Sequence, residues 1–147
     1  MKHSLIVLFA ALFMIGLPKQ TFSRDDRLMF PIDEALATLA AQNKIQGIDL
    51  YFGNQEHPKI LQDFGEFRTN QKTNALNKSD KQACEWVFLS ALLKLQERAS
   101  SLGANAVINI KSNYRNNEVV SETEYQCGAG HIFAGVALKG RIVKLSK

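Results

Sequence analysis

The residues best equipped for chemistry are Cys84, Cys127, His57 and His131, and their spacing limits what they can do. Zinc sites draw on close ligand pairs such as C-x-x-C or H-x-x-x-H. Here only Cys127 and His131 are near one another in the chain, so a metal centre would have to be assembled by the fold. A nucleophilic thiol needs a thiolate poised beside a base. Cys127 with His131 meets that need in outline, and a disulfide at Cys127 would abolish it. No G-x-S-x-G turn is present to carry a serine nucleophile. Gly128-Ala129-Gly130 looks like half of a dinucleotide fingerprint, but that motif follows a strand and opens a helix, whereas this run precedes a strand pattern. These residues point away from an enzyme and from a bound cofactor or metal. A thiol- or metal-dependent envelope enzyme stays as the alternative.

The redox state of the two cysteines depends on compartment. Met1-Lys2-His3 is a short positive segment, Leu5 to Leu17 an apolar run, Pro18 a breaker, and Thr21-Phe22-Ser23 a small-residue cleavage site. That is the pattern of a secretory signal peptide. The apolar run is shorter than the roughly 20 residues of a membrane span, so residues 1–23 are expected to be cleaved near Ser23, leaving no stable membrane anchor and one α+β domain over 24–147 in the periplasm. In an oxidising compartment an even cysteine count implies bridging, and two cysteines allow one connectivity. Lys2 and Lys19 lie in the leader, leaving 16 basic and 14 acidic residues. So small and scattered an excess gives no footprint for nucleic acid.

Behind these residues stand the elements that must position them. Arg24 to Met29 reads as a polar, frayed lead-in. Pro31-Ile32-Asp33-Glu34 opens a helix over 31–45, with proline and acids suited to its first turn. Ile48 to Phe52 alternates as a strand. Ile60 to Phe67 reads as a second, with Gly65 at a bulge, and polar Thr69 to Lys78 as a loop. Ser79 or Asp80 caps the main helix over 79–102, which Gly103 ends. Its Cys84, Phe88, Ala91, Leu92, Leu95, Ala99 and Leu102 form one stripe, while Trp86, Leu89 and Leu93 form a second that the N-terminal helix or a partner must cover. Ala104 to Tyr114 is a strand, 115–130 is a loop or a short strand, and His131 to Leu145 is a final strand with a bulge expected at Gly140. The sum is a small, antiparallel-dominated sheet of three or four strands with one long helix across a face and a second, N-terminal helix nearby.

This layout brings the thiols together. The main helix is about 36 Å long, and the strand that follows spans about 36 Å. A tight turn at Gly103 makes them antiparallel, so Tyr114 ends beside the helix start, where Cys84 sits. Cys127 precedes the strand that returns from that same end.

The order Asp63-Phe64-Gly65-Glu66, long helix, Leu102-Gly103-Ala104-Asn105-Ala106-Val107 and a terminal glycine-containing strand resembles a superfamily of small bacterial domains, over Gln62 to Leu145. It includes the heavy-metal-binding domain family and the stress-sensor lipoprotein of the Rcs phosphorelay. Through Tyr51-Phe52-Gly53, Lys72-Thr73-Asn74-Ala75 and Glu124 to Gly130, the chain looks like exported relatives labelled "excinuclease ATPase subunit". An ATPase would need a G-x-x-x-x-G-K-[ST] loop, which this sequence lacks. The sensor lipoprotein is bridged between its pre-helix and hairpin regions, so the resemblance also implies a Cys84–Cys127 bond. It implies further that related domains assemble as oligomers or sit in envelope complexes.

The expected activity is therefore binding or envelope assembly without catalysis, with a protein partner in the envelope and self-association also open. The candidate binding surface comprises Trp86 on the helix's second stripe and Glu118, Glu122, Glu124, Tyr125 and His131 around the 115–130 segment. Glu118, Glu122 and Glu124 form an acidic stretch, and Lys72, Lys78 and Lys81 a basic one. If both lie at one end of the domain they pair with each other, at little energetic gain.

Overall fold

The computed structural model describes residues 24–147. The leader assigned to 1–23 lies outside the described residues. The sheet is built on the last strand, Phe133–Leu145. Its Ala134, Val136, Leu138 and Ile142 face the main helix, Asp80–Ser101, and share its core. Val143 and Leu145 join Ala106 and Ile108 in a smaller cluster on the opposite face.

Numbered along the chain, the strands are β1 (Asp26–Pro31), β2 (Asp49–Phe52), β3 (Ile60–Asn74), β4 (Ala106–Tyr114), β5 (Asn117–Val119), β6 (Glu124–Ala129) and β7. The helices are α1 (Ile32–Leu36), α2 (Leu39–Lys44) and α3, the main helix. β7 pairs along one edge with the whole of β3. Its other edge is divided between β4, opposite residues 138–143, and β6, opposite Gly135 and Ala134. β6 pairs with β1, β5 with β4, and β2 runs parallel to β4.

This is a seven-stranded mixed sheet curled into a half-barrel, which overturns the expected sheet of three or four strands. The missing strands were short or polar segments. Residues 24–29 are not frayed: most of them form β1, held antiparallel to β6. Residues 69–74 are not loop but the second half of β3, where only Thr69 is buried. The 115–130 segment holds both β5 and β6. The second half of β3 and β5 carry no apolar alternation, and in β1 and β6 it is confined to Leu28 and Phe30 and to Tyr125, Cys127 and Ala129; their backbone donors and acceptors are satisfied because a neighbouring edge is within reach.

The expected helix over 31–45 is broken in two. Ala37 ends α1, and extended Thr38 caps α2, its Oγ1 accepting from Ala41 N at 3.2 Å. By contrast, α3 matches its sequence signals. Ser79 and Gln82 form a reciprocal capping box, satisfying two orphan backbone donors, and Gly103 follows the helix at φ 71°. Gly65 lies at a β3 bulge, as expected, with φ 92°. Gly140 does not host one. The extra residues sit in β3 and β4, and Gly140 keeps β7 in phase.

Candidate functional site

Cys84 and Cys127 are joined by a disulfide, fully buried, with Cα atoms 5.9 Å apart. The bond ties the start of α3 to the middle of β6. Next to it, Tyr125 stacks on Phe88 with ring centroids 3.8 Å apart. Tyr125 is therefore part of the core and not of a binding surface. Burial above all, and then Glu85 and Glu34, raises its phenol above the ordinary range.

The two ends of β6 have opposite character. Beyond its first residue, β2, α1 and the 121–124 loop enclose a cleft of about 500 Å³. Its floor is apolar, formed by Ile32, Leu36, Leu50 and Phe52. Its rim carries Asp33, Glu122 and Glu124, and a contiguous shallow groove adds Glu56. No lysine, arginine or histidine lines either space.

Among the described residues nine of the fourteen carboxylate side chains are ion-paired. The other five are Asp33, Asp49, Glu56, Glu122 and Glu124, and four of these line this one region. A low-dielectric floor under unneutralised charge focuses a negative potential.

Local chemistry holds the rim in place. Ser121 Oγ accepts from the backbone N–H of Thr123 at 3.2 Å and of Glu124 at 3.0 Å. The N–H of Ile32 donates to Thr123 O at 2.9 Å, tying α1 to the same loop. Gly53 adopts φ 57°, and a Cβ there would lie 3.1 Å from the Ser121 carbonyl carbon and 3.2 Å from Glu122 Cγ. Glycine thus lets the acidic loop close over β2. Across the mouth, Gln55 Oε1 accepts from Phe52 N at 2.7 Å.

At the other end of β6, the β6–β7 turn lies beside the loop after β3. Ala75 N donates to Ile132 O at 2.8 Å. Leu76, Ile132 and Phe133 project there, 52%, 53% and 59% exposed. Exposed His131 and Lys72 stand beside them, and exposed Lys78 donates to Asn74 O, at the residue paired with Phe133, at 2.9 Å. Behind lies a second cleft of about 350 Å³ whose lining includes Tyr114, Arg115 and Lys72. The Tyr114 ring covers Gly128, where a Cβ would overlap it, and reaches Gly135. Its hydroxyl donates to Asp25 at 3.0 Å.

The acidic and basic stretches thus do not meet at one end. Glu122 and Glu124 lie in the acidic cleft, and Lys72 and Lys78 lie near the opposite turn. Lys81 pairs with Glu34 and Glu85 on the helices. Glu118 belongs to neither end. It joins a charge ladder across the helix-free face, bonding Lys139 and, at 2.9 Å, Lys111. Lys139, only 7% exposed, also reaches Glu66 at 3.2 Å.

These lysines, Lys139 foremost, hold the Glu118 carboxyl down at about 2, below its ordinary 4.5. A carboxylate whose folded value is depressed stabilises the fold above its unfolded value. That contribution is lost as pH falls through the folded value. Glu118→Gln should therefore flatten the loss of stability between about pH 4.5 and 2, read by urea melts across that window. Equal slopes for variant and parent would remove Glu118 from the acid response.

Trp86 stays 52% exposed, with Lys44 Nζ 5.0 Å from its ring centroid. The rest of the second stripe is covered, Leu89 fully and Leu93 partly. On that side α2 meets α3 where Gln96 Nε2 donates to Lys44 O at 3.3 Å. Sequence reasoning missed Asp33, Glu56 and the apolar floor, because they come from three segments far apart in the chain. Among the described residues no group of three or more metal-binding side chains converges, and no helix is long and apolar enough to cross a membrane. Comparison of the chain with protein-family models, with curated proteins and with solved structures found no match in any of the three.

Proposed function

We propose that this protein is an exported, non-enzymatic binding module of the bacterial periplasm that captures a basic, apolar segment of a protein partner in the acid-rimmed cleft. The observation that carries this reading is the gathering of three unpaired carboxylates, Asp33, Glu122 and Glu124, around one apolar floor, with a fourth, Glu56, in the adjoining groove. Apolar floors supply affinity and a few polar groups supply orientation. Here the polar groups all carry one sign, so they select lysine or arginine beside a leucine-like side chain. The buried disulfide suits an oxidising compartment and fixes β6, from which the cleft opens. The resemblance to envelope domains points the same way. Thiol catalysis is disfavoured because both sulfurs are held in the bridge.

The test is titration of the processed, oxidised protein with the peptide acetyl-Leu-Arg-Leu-Arg-amide, followed by amide chemical shifts. Shifts are expected at Asp33, Leu36, Leu50 and 121–124. Binding should weaken at least about tenfold in E122Q/E124Q and fall with added salt. Equal binding by acetyl-Leu-Gln-Leu-Gln-amide, or by the double variant, would overturn the proposal.

A further inference from the structure

We infer that the partner segment is supplied by a second copy of this chain, whose β6–β7 turn docks head to tail into the acid-rimmed cleft; this rests on the reading of the cleft given above. Leu76, Ile132 and Phe133 lie on adjoining segments and form an exposed apolar knob, Ile132 and Phe133 also lining the second cleft. Three large apolar side chains so exposed in two adjoining loops make a contact patch. Lys72 and Lys78 stand beside it and pair with no carboxylate among the described residues. The knob therefore presents the chemistry that the cleft selects: apolar side chains flanked by unneutralised cations.

Geometry forbids the two from meeting within one molecule. The knob follows Ala129 at the far end of β6, and the cleft opens at Glu124. The strand between them is extended and paired to β1 over its whole length, and the disulfide to α3 holds it. Six extended residues separate the ends by about 17 Å. Two complementary surfaces at opposite ends of a rigid element make a heterologous contact, which propagates as a chain or closes into a ring. Each added copy buries one knob and neutralises one set of carboxylates, leaving a fresh knob and a fresh cleft at the ends.

Sedimentation velocity of the oxidised, processed protein tests this. The parent should grow beyond a dimer as concentration rises at about 0.02 M salt and dissociate at about 0.5 M, where the Debye length is only a few ångströms. I132S/F133S (knob removed) and E122K/E124K (cleft reversed) should each be monomeric alone while keeping the parent's melting temperature. Mixed, they retain one good cleft and one good knob between them, and should stop at a one-to-one dimer. A parent that stays monomeric at low salt, or variants that assemble as the parent does, would overturn the inference. If the arginine peptide still binds a monomeric parent, the cleft reading survives and the second copy is the part that fails. If neither peptide nor copy binds, both fall.

Discussion

A protein carrying Cys84→Ala and Cys127→Ala unfolds with a free energy about 4 kcal/mol below that of the oxidised parent, the figure chain entropy assigns to opening a loop of this length. The bonded residues are 43 apart in sequence. The loss should be uneven. β6 is paired to β7 only at Gly128 and Ala129, so the β1–β6 ribbon is joined to the rest of the sheet by a short seam. The disulfide and the Tyr125–Phe88 stack are its main ties to α3. Amide exchange in the double variant should therefore rise most at 26–31 and 124–129, and least along β3 and β7, which pair over their whole length. Because the cleft and the knob are the two ends of this ribbon, peptide binding and self-association should weaken with it. A variant within about 1 kcal/mol of the parent, with uniform exchange, would mean that packing alone seats β6.

Gly140→Ala should cost about 1–3 kcal/mol, the range for overfilling a packed core, and Gly140→Val more. Gly140 lies in β7 between β3 and β4, opposite Phe67. A Cβ there would come within 2.6 Å of Val107 Cγ1 and 3.3 Å of Ile110 Cγ1, both on buried side chains. Its φ is not in the positive region, so the backbone would accept alanine and only the space refuses it. That separates close approach from the bulge that the sequence suggests. In the pair V107A/G140A the closer of the two contacts is removed, and the double variant should be more stable than the two single losses imply by at least about 1 kcal/mol. Additive losses in urea melts would show that the contact is not the reason for the glycine.

Elements whose signals are local could be read before the structure. The α3 stripe of Cys84, Phe88, Leu92 and Leu95, its Ser79 cap and its Gly103 stop all lie within one helix and need no partner to be recognised. The β2, β4 and β7 strands are rich in apolar residues that pack on the core, β4 and β7 on both faces, and such runs are visible without knowing their partners. The Cys84–Cys127 pairing followed from the lengths of α3 and β4 and the turn between them. β1, the second half of β3, and β5 were not legible in this way. Arg68-Thr69-Asn70-Gln71-Lys72 is polar on both faces, and what makes it a strand is the unpaired edge of β7, more than sixty residues further along the chain. Register and pairing of that kind are non-local and leave little mark on composition.

The candidate site divides along the same line. That Glu122 and Glu124 are acidic, that Lys72 and Lys78 are basic, and that Ile132 and Phe133 are apolar is written in the chain. Which of them face one another is not. The chain by itself determined the helix and the signs of the charges, because each depends on neighbours a few residues away, and it determined the thiol pair, 43 residues apart, because one helix, one turn and one strand of known length lie between them. Only the tertiary structure decided that β6 stands between the acids and the lysines and sends them to opposite ends. Unsatisfied charge of each sign is thereby left outside, because a strand held extended by its hydrogen bonds and by one disulfide cannot fold back to cancel it.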